Sequence, residues 1–345
     1  MKAAFAIPGD PATPTGGYVY DARVIEAAAG VLELVALPAG FPFPSPRELE
    51  ATGAALAAAE GPALVDGLAY GALPPELIDA LPRPPVALCH HPLGLEAGLS
   101  EAAARRLIES ERAALARAAH VVVTSDATKR TLLADFGLED AGVTVAEPGL
   151  DRTEAARLHG REPDGPPKIL TVASITPRKG HDALVSALAA LGDRDWTLDL
   201  VGPEDRDAAW ATRIREAVAC AGLEDRVAFR GAAPRSALEA RYLEADLFCL
   251  SSRYEGYGMV FAEAMMRGLP VVGCAVGAVP EVVPPAAGRL VPPDDPAALA
   301  EAIAAFLDDP AARRSAGAAG RAHALSMPGW DATWAAIRKV LEAQA

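Results

Sequence analysis

The sequence predicts an α/β protein made of two doubly wound, Rossmann-like domains, and three observations carry this. Short apolar runs rich in β-branched residues alternate with amphipathic helical stretches along the whole chain. That rhythm breaks once, in a polar stretch ending in Pro and Gly near residues 150–167, and then restarts. A chain of 345 residues is also long for one domain of this class and comfortable for two.

In the first half the predicted strands are Ala3–Ile7, Val31–Leu37, Ala63–Asp66, Val86–Cys89, His120–Thr124 and Val143–Ala146. Helical patterns fall between them at Tyr20–Ala29, Arg47–Ala59, Ser100–Ala119 and Ala127–Phe136, the last capped by Ser125 or Asp126 and closed by Gly137. After the break the predicted strands are Ile169–Ala173, Thr197–Val201, Val227–Arg230, Leu247–Leu250, Pro270–Gly273 and Arg289–Val291. A last helix over Pro328–Ala343 carries Trp330 and Trp334 one turn apart, a pair that calls for a surface to pack on. The expected division is therefore 1–150, 151–327 and a closing helix at 328–345 that packs back on the first domain. Two such sheets imply a cleft at their strand C-terminal edges, so binding residues are expected at strand-to-helix turns.

Composition removes several classes. The 32 Lys and Arg against 46 Asp and Glu leave a net charge of −14, which repels phosphate polyanions and makes nucleic acid an unsuitable partner. The helix with Arg105, Arg106, Arg112 and Arg117 also carries Glu101, Glu109 and Glu111 and reads as a solvated mixed-charge face. The four cysteines, Cys89, Cys220, Cys249 and Cys274, stand far apart with no zinc-like spacing, as in a reducing compartment. The N-terminal apolar run breaks at Pro8, and nothing reaches the length of a membrane span. A soluble cytoplasmic protein is expected.

The most informative segment runs from Ser252 through Glu255, Gly256, Tyr257, Gly258, Met259 and Val260 to Glu263. It follows a strand and opens a helix. The glycines let backbone approach a ligand closely, and the amides of Gly258, Met259 and Val260 at a helix start form an anion site suited to a pyrophosphate. Glu255 sits in the loop just before that site; Glu263, further into the helix, suits a ribose diol. A second turn, Thr176-Pro177-Arg178-Lys179-Gly180, offers a guanidinium and an ammonium for a diphosphate. A third, around Gly16 and Gly17 after the first strand, lets substrate near the backbone but is not the dinucleotide fingerprint. His90 and His91 stand together where a strand ends, and no further metal ligand is evident near them. Asp193-Arg194-Asp195 and Asp205-Arg206-Asp207 imitate an acidic metal motif but lie in polar surroundings and read as solvated loops.

Ser251-Ser252, Glu255, Glu263 and Gly268-Leu269-Pro270-Val271-Val272 together resemble the Glu-x7-Glu signature of the retaining GT-B glycosyltransferases of family 4, known as glycosyl transferases group 1. The resemblance extends over most of the chain, from the Gly16-Gly17 loop through His90, Pro148-Gly149-Leu150-Asp151 and Arg178-Lys179 to the closing helix. It implies a GT-B fold, with an N-terminal acceptor domain and a C-terminal sugar-nucleotide domain. It also implies transfer of a sugar from a nucleoside diphosphate sugar, UDP- or GDP-linked, to a small-molecule, glycan or lipid-linked acceptor, with no cofactor and no metal. By the same resemblance, Gly16 and Gly17 contribute to the donor phosphate and acceptor region, and His90 or His91 lies near the donor sugar. Glu255 faces the sugar hydroxyls, Arg178, Lys179 and the 258–260 amides hold the diphosphate, and Glu263 binds the ribose. One position departs: Ser174 stands where the family usually has Arg, so either Arg178 substitutes for that guanidinium or the phosphate is held less tightly. The same motifs would serve a GT-B epimerase or phosphorylase, or a catalytically silent sugar-nucleotide-binding protein.

Overall fold

Twelve parallel strands form two six-stranded sheets in the computed structural model, which describes residues 2–153 and 165–345. The chain divides into two units, one made of Met1–Gly149 with Pro328–Ala345 and the other of Leu150–Met327. The expected linker lies largely at residues 154–164, outside the described residues.

In the first unit β1 (Ala3–Pro8), β2 (Leu32–Leu37), β3 (Ala63–Asp66), β4 (Val86–Cys89), β5 (His120–Val123) and β6 (Val143–Val145) are arranged in the order β2-β1-β3-β4-β5-β6. β1 and β4 are buried along their whole length, as parallel strands covered on both faces must be. Alternate residues feed two cores: Ala6, Val65 and Ala87 enter one, and Phe5, Ile7, Leu64 and Leu88 the other. The first helix, Gly16–Ala27, starts four residues before the expected Tyr20. Thr15 caps it by accepting from the Tyr18 amide, and this bond draws Gly16 and Gly17 out of the expected loop into the first turn. The closing helix, Trp330–Glu342, buries Trp334, Ile337 and Leu341 in the same core as Tyr20 and Val24. Its Thr333 hydroxyl donates to the Glu147 carbonyl at 2.6 Å.

The second unit contains β7 (Lys168–Val172), β8 (Thr197–Val201), β9 (Val227–Gly231), β10 (Leu247–Leu250), β11 (Val271–Cys274) and β12 (Gly288–Val291). Their order is β12-β11-β10-β7-β8-β9. From the central pair β7 and β10 the chain winds outward in opposite directions, so the loops leaving these two strands diverge and open a crevice between them. The Pro177–Lys179 turn follows β7, and the Ser251–Gly258 loop follows β10. The two richest sequence motifs therefore flank one topological switch point.

Candidate functional site

The turn after β7 is a single 3₁₀ turn, Pro177–Lys179, closed by Gly180 in the left-handed region at φ +65°. A Cβ on Gly180 would lie 2.0 Å from the Ser251 carbonyl oxygen, so glycine is required both for conformation and for contact. Facing it, the loop after β10 is stitched to this turn at several points. The Ser251 hydroxyl donates to the Gly180 carbonyl at 2.7 Å, and the Arg253 amide donates to the Arg178 carbonyl at 2.8 Å. The Arg253 guanidinium reaches the Pro177 carbonyl, the Asp182 carboxylate and the Asp294 carboxylate. Removing it in Arg253→Ala is expected to lower the melting midpoint of this unit by roughly 2–6 °C. Arg253→Lys should recover only part of the loss, because one compact ammonium cannot reach three acceptors that separate nitrogens of the guanidinium fork contact, and differential scanning calorimetry of the two variants checks this.

Held this way, Lys179 and Glu255 meet. The Lys179 ammonium donates to Glu255 Oε1 at 2.6 Å, the Ser252 hydroxyl donates to the same oxygen at 2.5 Å, and Arg178 Nη1 lies 3.9 Å from Oε2. Arg178 also donates to the Tyr254 carbonyl at 3.1 Å. Burial alone would raise the Glu255 carboxyl, but Lys179, Arg178 and Ser252 outweigh it and hold the group below the usual carboxylate range. The neighbouring His181 is pushed down to about 4 by burial and by the Lys179 charge, so it is neutral and adds no cation.

Beyond Glu255, Gly258 caps the helix Met259–Met266 at φ +92°, with the Phe261 ring occupying the space a Cβ would need. The amides of Met259 and Val260, in the first turn, have no carbonyl one turn earlier in the helix to bond. Tyr257 is buried beside them, and Gly256, Met259 and Val260 are partly exposed. Glu263 is half-buried and its Oε2 accepts from the Tyr242 hydroxyl at 2.9 Å; burial raises its carboxyl above the usual value. Within this unit the predicted Arg178, Lys179, Glu255, the 256–260 backbone and Glu263 thus lie along two adjacent loops and one helix.

The first unit gathers a separate group. His90 follows β4, and its Nε2 lies 3.1 Å from Asp21 Oδ1 and 3.1 Å from Asp66 Oδ2. Asp66 ends β3 and Asp21 rides on the first helix; both are buried. The sequence offered no further ligand near His90, but β3 and β4 are neighbours, so the fold supplies two. Donor atoms of the three side chains lie within 4.8 Å of one another, a set that could accept a divalent ion. Burial would lower the His90 pKa, yet Asp21 and Asp66 overcome it and push it up to about 10. His91 instead meets Glu96 on its own loop at 3.1 Å. Gly17, expected to line a ligand, packs on the ring: a Cβ there would lie 3.2 Å from His90 Cδ2. Gly16 opens the first turn of the same helix.

The acidic look-alikes are structural. Asp193 pairs with Arg194, which also binds Asp308, and Asp207 caps the helix Ala208–Cys220 through the Trp210 amide at 2.9 Å. Among the described residues no helix is long and apolar enough to cross a membrane.

Residues 153–323 match the family described as glycosyl transferases group 1. A D-inositol 3-phosphate glycosyltransferase of Kineococcus radiotolerans is 31% identical over 254 residues, covering 67% of this chain and 58% of that protein. An MMP alpha-(1->4)-mannosyltransferase of Mycolicibacterium hassiacum is 29% identical over 274 residues, covering 75% and 65%. The match thus spans less than two thirds of the length of either relative. Among solved structures, sucrose-phosphate synthase from Thermosynechococcus elongatus superposes with a TM-score of 0.84 at 25% identity, covering 99% of both chains. HepE from Anabaena, solved in complex with UDP and glucose, gives 0.78 at 18% identity, covering 99% of both. The fold of the chain is therefore GT-B.

Proposed function

Residues 153–323 belong to the glycosyl transferases group 1 family within a GT-B chain, and from that premise we propose that the protein moves a sugar from a nucleoside diphosphate sugar to an acceptor hydroxyl with retention of configuration. The observation that carries the reading is the convergence of Lys179, Arg178 and Glu255 beside a helix start at the β7/β10 switch point. The anion of the donor replaces the Glu255 carboxylate as partner of the two cations, and the 258–260 amides take its remaining oxygens. Arg178, turned towards Glu255 and not away from it, supplies the guanidinium that Ser174 lacks. Freed from Lys179, Glu255 faces the sugar hydroxyls, and Glu263 accepts from the ribose.

In the reaction the bond from the anomeric carbon to the diphosphate oxygen breaks, and the acceptor oxygen bonds that carbon on the same face. The acceptor proton passes to the departing diphosphate, whose charge the two cations and the helix start neutralise. No metal or cofactor enters this scheme. The N-terminal unit, with His90 and His91, serves the acceptor. The buried free thiols of Cys89, Cys249 and Cys274 support residence in the cytoplasm.

A thermal-shift panel of UDP, GDP, ADP and their sugars tests the reading. One nucleotide and its sugar conjugates should raise the melting midpoint, whereas no response to any member would overturn it. Glu263→Ala is expected to weaken binding of that nucleotide by about tenfold to a hundredfold, the worth of hydrogen bonds to a charged acceptor, measured by calorimetry.

A further inference from the structure

We propose that Tyr242 is a positioning residue whose hydroxyl holds the Glu263 carboxylate ready for a ribose diol, and so sets a preference for ribonucleotides over deoxyribonucleotides. The inference rests on the reading that Glu263 accepts from the ribose of a sugar nucleotide. Tyr242 lies on the helix Arg235–Glu244, which leads into β10, and Glu263 lies on the helix that follows that strand. The Tyr242 hydroxyl donates to Glu263 Oε2 at 2.9 Å; the tyrosine keeps 1% of its exposure, while the glutamate is half-buried. A carboxylate has about four lone-pair sites on its two oxygens, so this single bond leaves Oε1 to accept from a ligand.

The tyrosine ring is itself held in place. Its centroid lies 6.2 Å from that of Phe248, in the core that Phe261 shares, and the Arg267 guanidinium lies over it at 4.9 Å. Arg267 is anchored in turn, since Nε donates to Glu239 at 2.8 Å and Nη1 to the Glu263 carbonyl at 2.9 Å. The two cations whose charge reaches the Glu263 carboxylate, Arg267 and Arg235, are each bound to another acid, Glu239 and Asp151. The donor set against that carboxylate is therefore a neutral phenol. A guanidinium or ammonium there would make the stronger, charge-assisted bond and would compete with sugar hydroxyls for the oxygens. A phenol fixes the side chain and leaves the charge available. A glutamate must also give up rotamer freedom to grip a ligand, and the tyrosine has removed part of that freedom in advance.

Calorimetric titration of the intact chain with whichever of UDP, GDP and ADP raises its melting midpoint, and with the 2′,3′-dideoxy form of that nucleotide, tests the proposal. The unaltered protein should bind the ribonucleotide about tenfold more tightly or better. Tyr242→Phe keeps the ring and its packing. It should bind the ribonucleotide about threefold to tenfold more weakly than the unaltered protein does, and the dideoxynucleotide equally well. In a Glu263→Ala background the same change should have no further effect on either ligand, because the hydroxyl acts through that carboxylate. Tyr242→Met, a second apolar side chain without the hydroxyl, should repeat the loss of preference, so the outcome does not hang on one variant folding. A Tyr242→Phe protein that keeps the whole preference overturns the proposal and leaves the sugar-nucleotide reading standing. Equal losses on both ligands do the same, since they are what a merely structural role would give. An unaltered protein that binds both ligands alike removes Glu263 from the ribose and the proposal with it. If no nucleotide binds at all, the sugar-nucleotide reading itself fails and takes the proposal with it.

Discussion

Replacing Lys179 with alanine is expected to lower glycosyl transfer by about two to three orders of magnitude, the usual cost of removing one group that stabilises a leaving anion. The variant loses more than a charge. Lys179 and Glu255 keep only 15% and 7% of their side-chain exposure, so the deletion strands a buried carboxylate with Arg178 Nη1 3.9 Å away. Breaking such a pair from one side costs about 3–5 kcal/mol before relaxation. The pH response should change sign. In the intact protein the Glu255 carboxyl is depressed, so its contribution to stability is present above the unfolded carboxylate value and is lost as pH falls through the folded one. Without Lys179 the burial contribution dominates and the carboxyl rises, so the variant should lose stability as pH climbs from about 4 towards neutrality. Melting curves at pH 5 and 8 read this directly: a variant that is no less stable, relative to the intact protein, at pH 8 than at pH 5 would contradict it. Lys179→Ala that transfers sugar at the normal rate would remove Lys179 from the site.

Gly180→Ala should be among the most damaging small changes in the second unit. Its cost has two parts, and a second glycine separates them. Gly137 closes a helix at φ +73° with nothing within 4 Å of a Cβ, so Gly137→Ala pays the conformational cost alone, about 1 kcal/mol. Gly180 has nearly the same φ, +65°, and in addition its Cβ would fall 2.0 Å from the Ser251 oxygen, which is backbone and cannot swing aside. The turn or the loop after β10 must move, and the Ser251–Gly180 and Arg253–Arg178 bonds move with it. A loss of about 3–5 kcal/mol is expected for Gly180→Ala. Denaturant titrations of the two variants side by side check the difference, and equal losses would show that the contact with Ser251 yields freely. Transfer should fall with Gly180→Ala at temperatures where the variant is still folded, since Lys179 is carried on the displaced turn.

The elements of this fold were legible because their signals are local. Thr197–Val201, Leu247–Leu250, Ala63–Asp66 and Val86–Cys89 form strands at the predicted residues, each rich in aliphatic residues and followed by a turn or polar residue. The start of the first helix was misread because two glycines look like a loop, while the Thr15 bond that recruits them depends on backbone geometry. Strand order was not legible at all, since it is set by which crossovers pack. It is this order that brings the turn after β7 against the loop after β10 and so pairs Lys179 with Glu255 across 76 residues. The Glu255–Glu263 segment could be read whole because strand, turn and helix are contiguous. Asp21 and Asp66 were missed for the opposite reason. Each is an unremarked acid in its own neighbourhood, and only the adjacency of β1, β3 and β4 turns both towards His90. Arg253 was visible in the motif, but its three anchors come from separate turns and left no trace near it in the chain.

The closing helix has a consequence for how this protein comes into being. Trp334, Ile337 and Leu341 complete a core begun by Phe5, Tyr20 and Val24, so the first unit is assembled from segments on either side of the second. A ribosome delivers those segments far apart in time. While the whole second unit is being synthesised, the face that awaits Trp334 stands uncovered, and the nascent chain carries an adhesive apolar surface. The unit begun first is thus completed only after the second has been made.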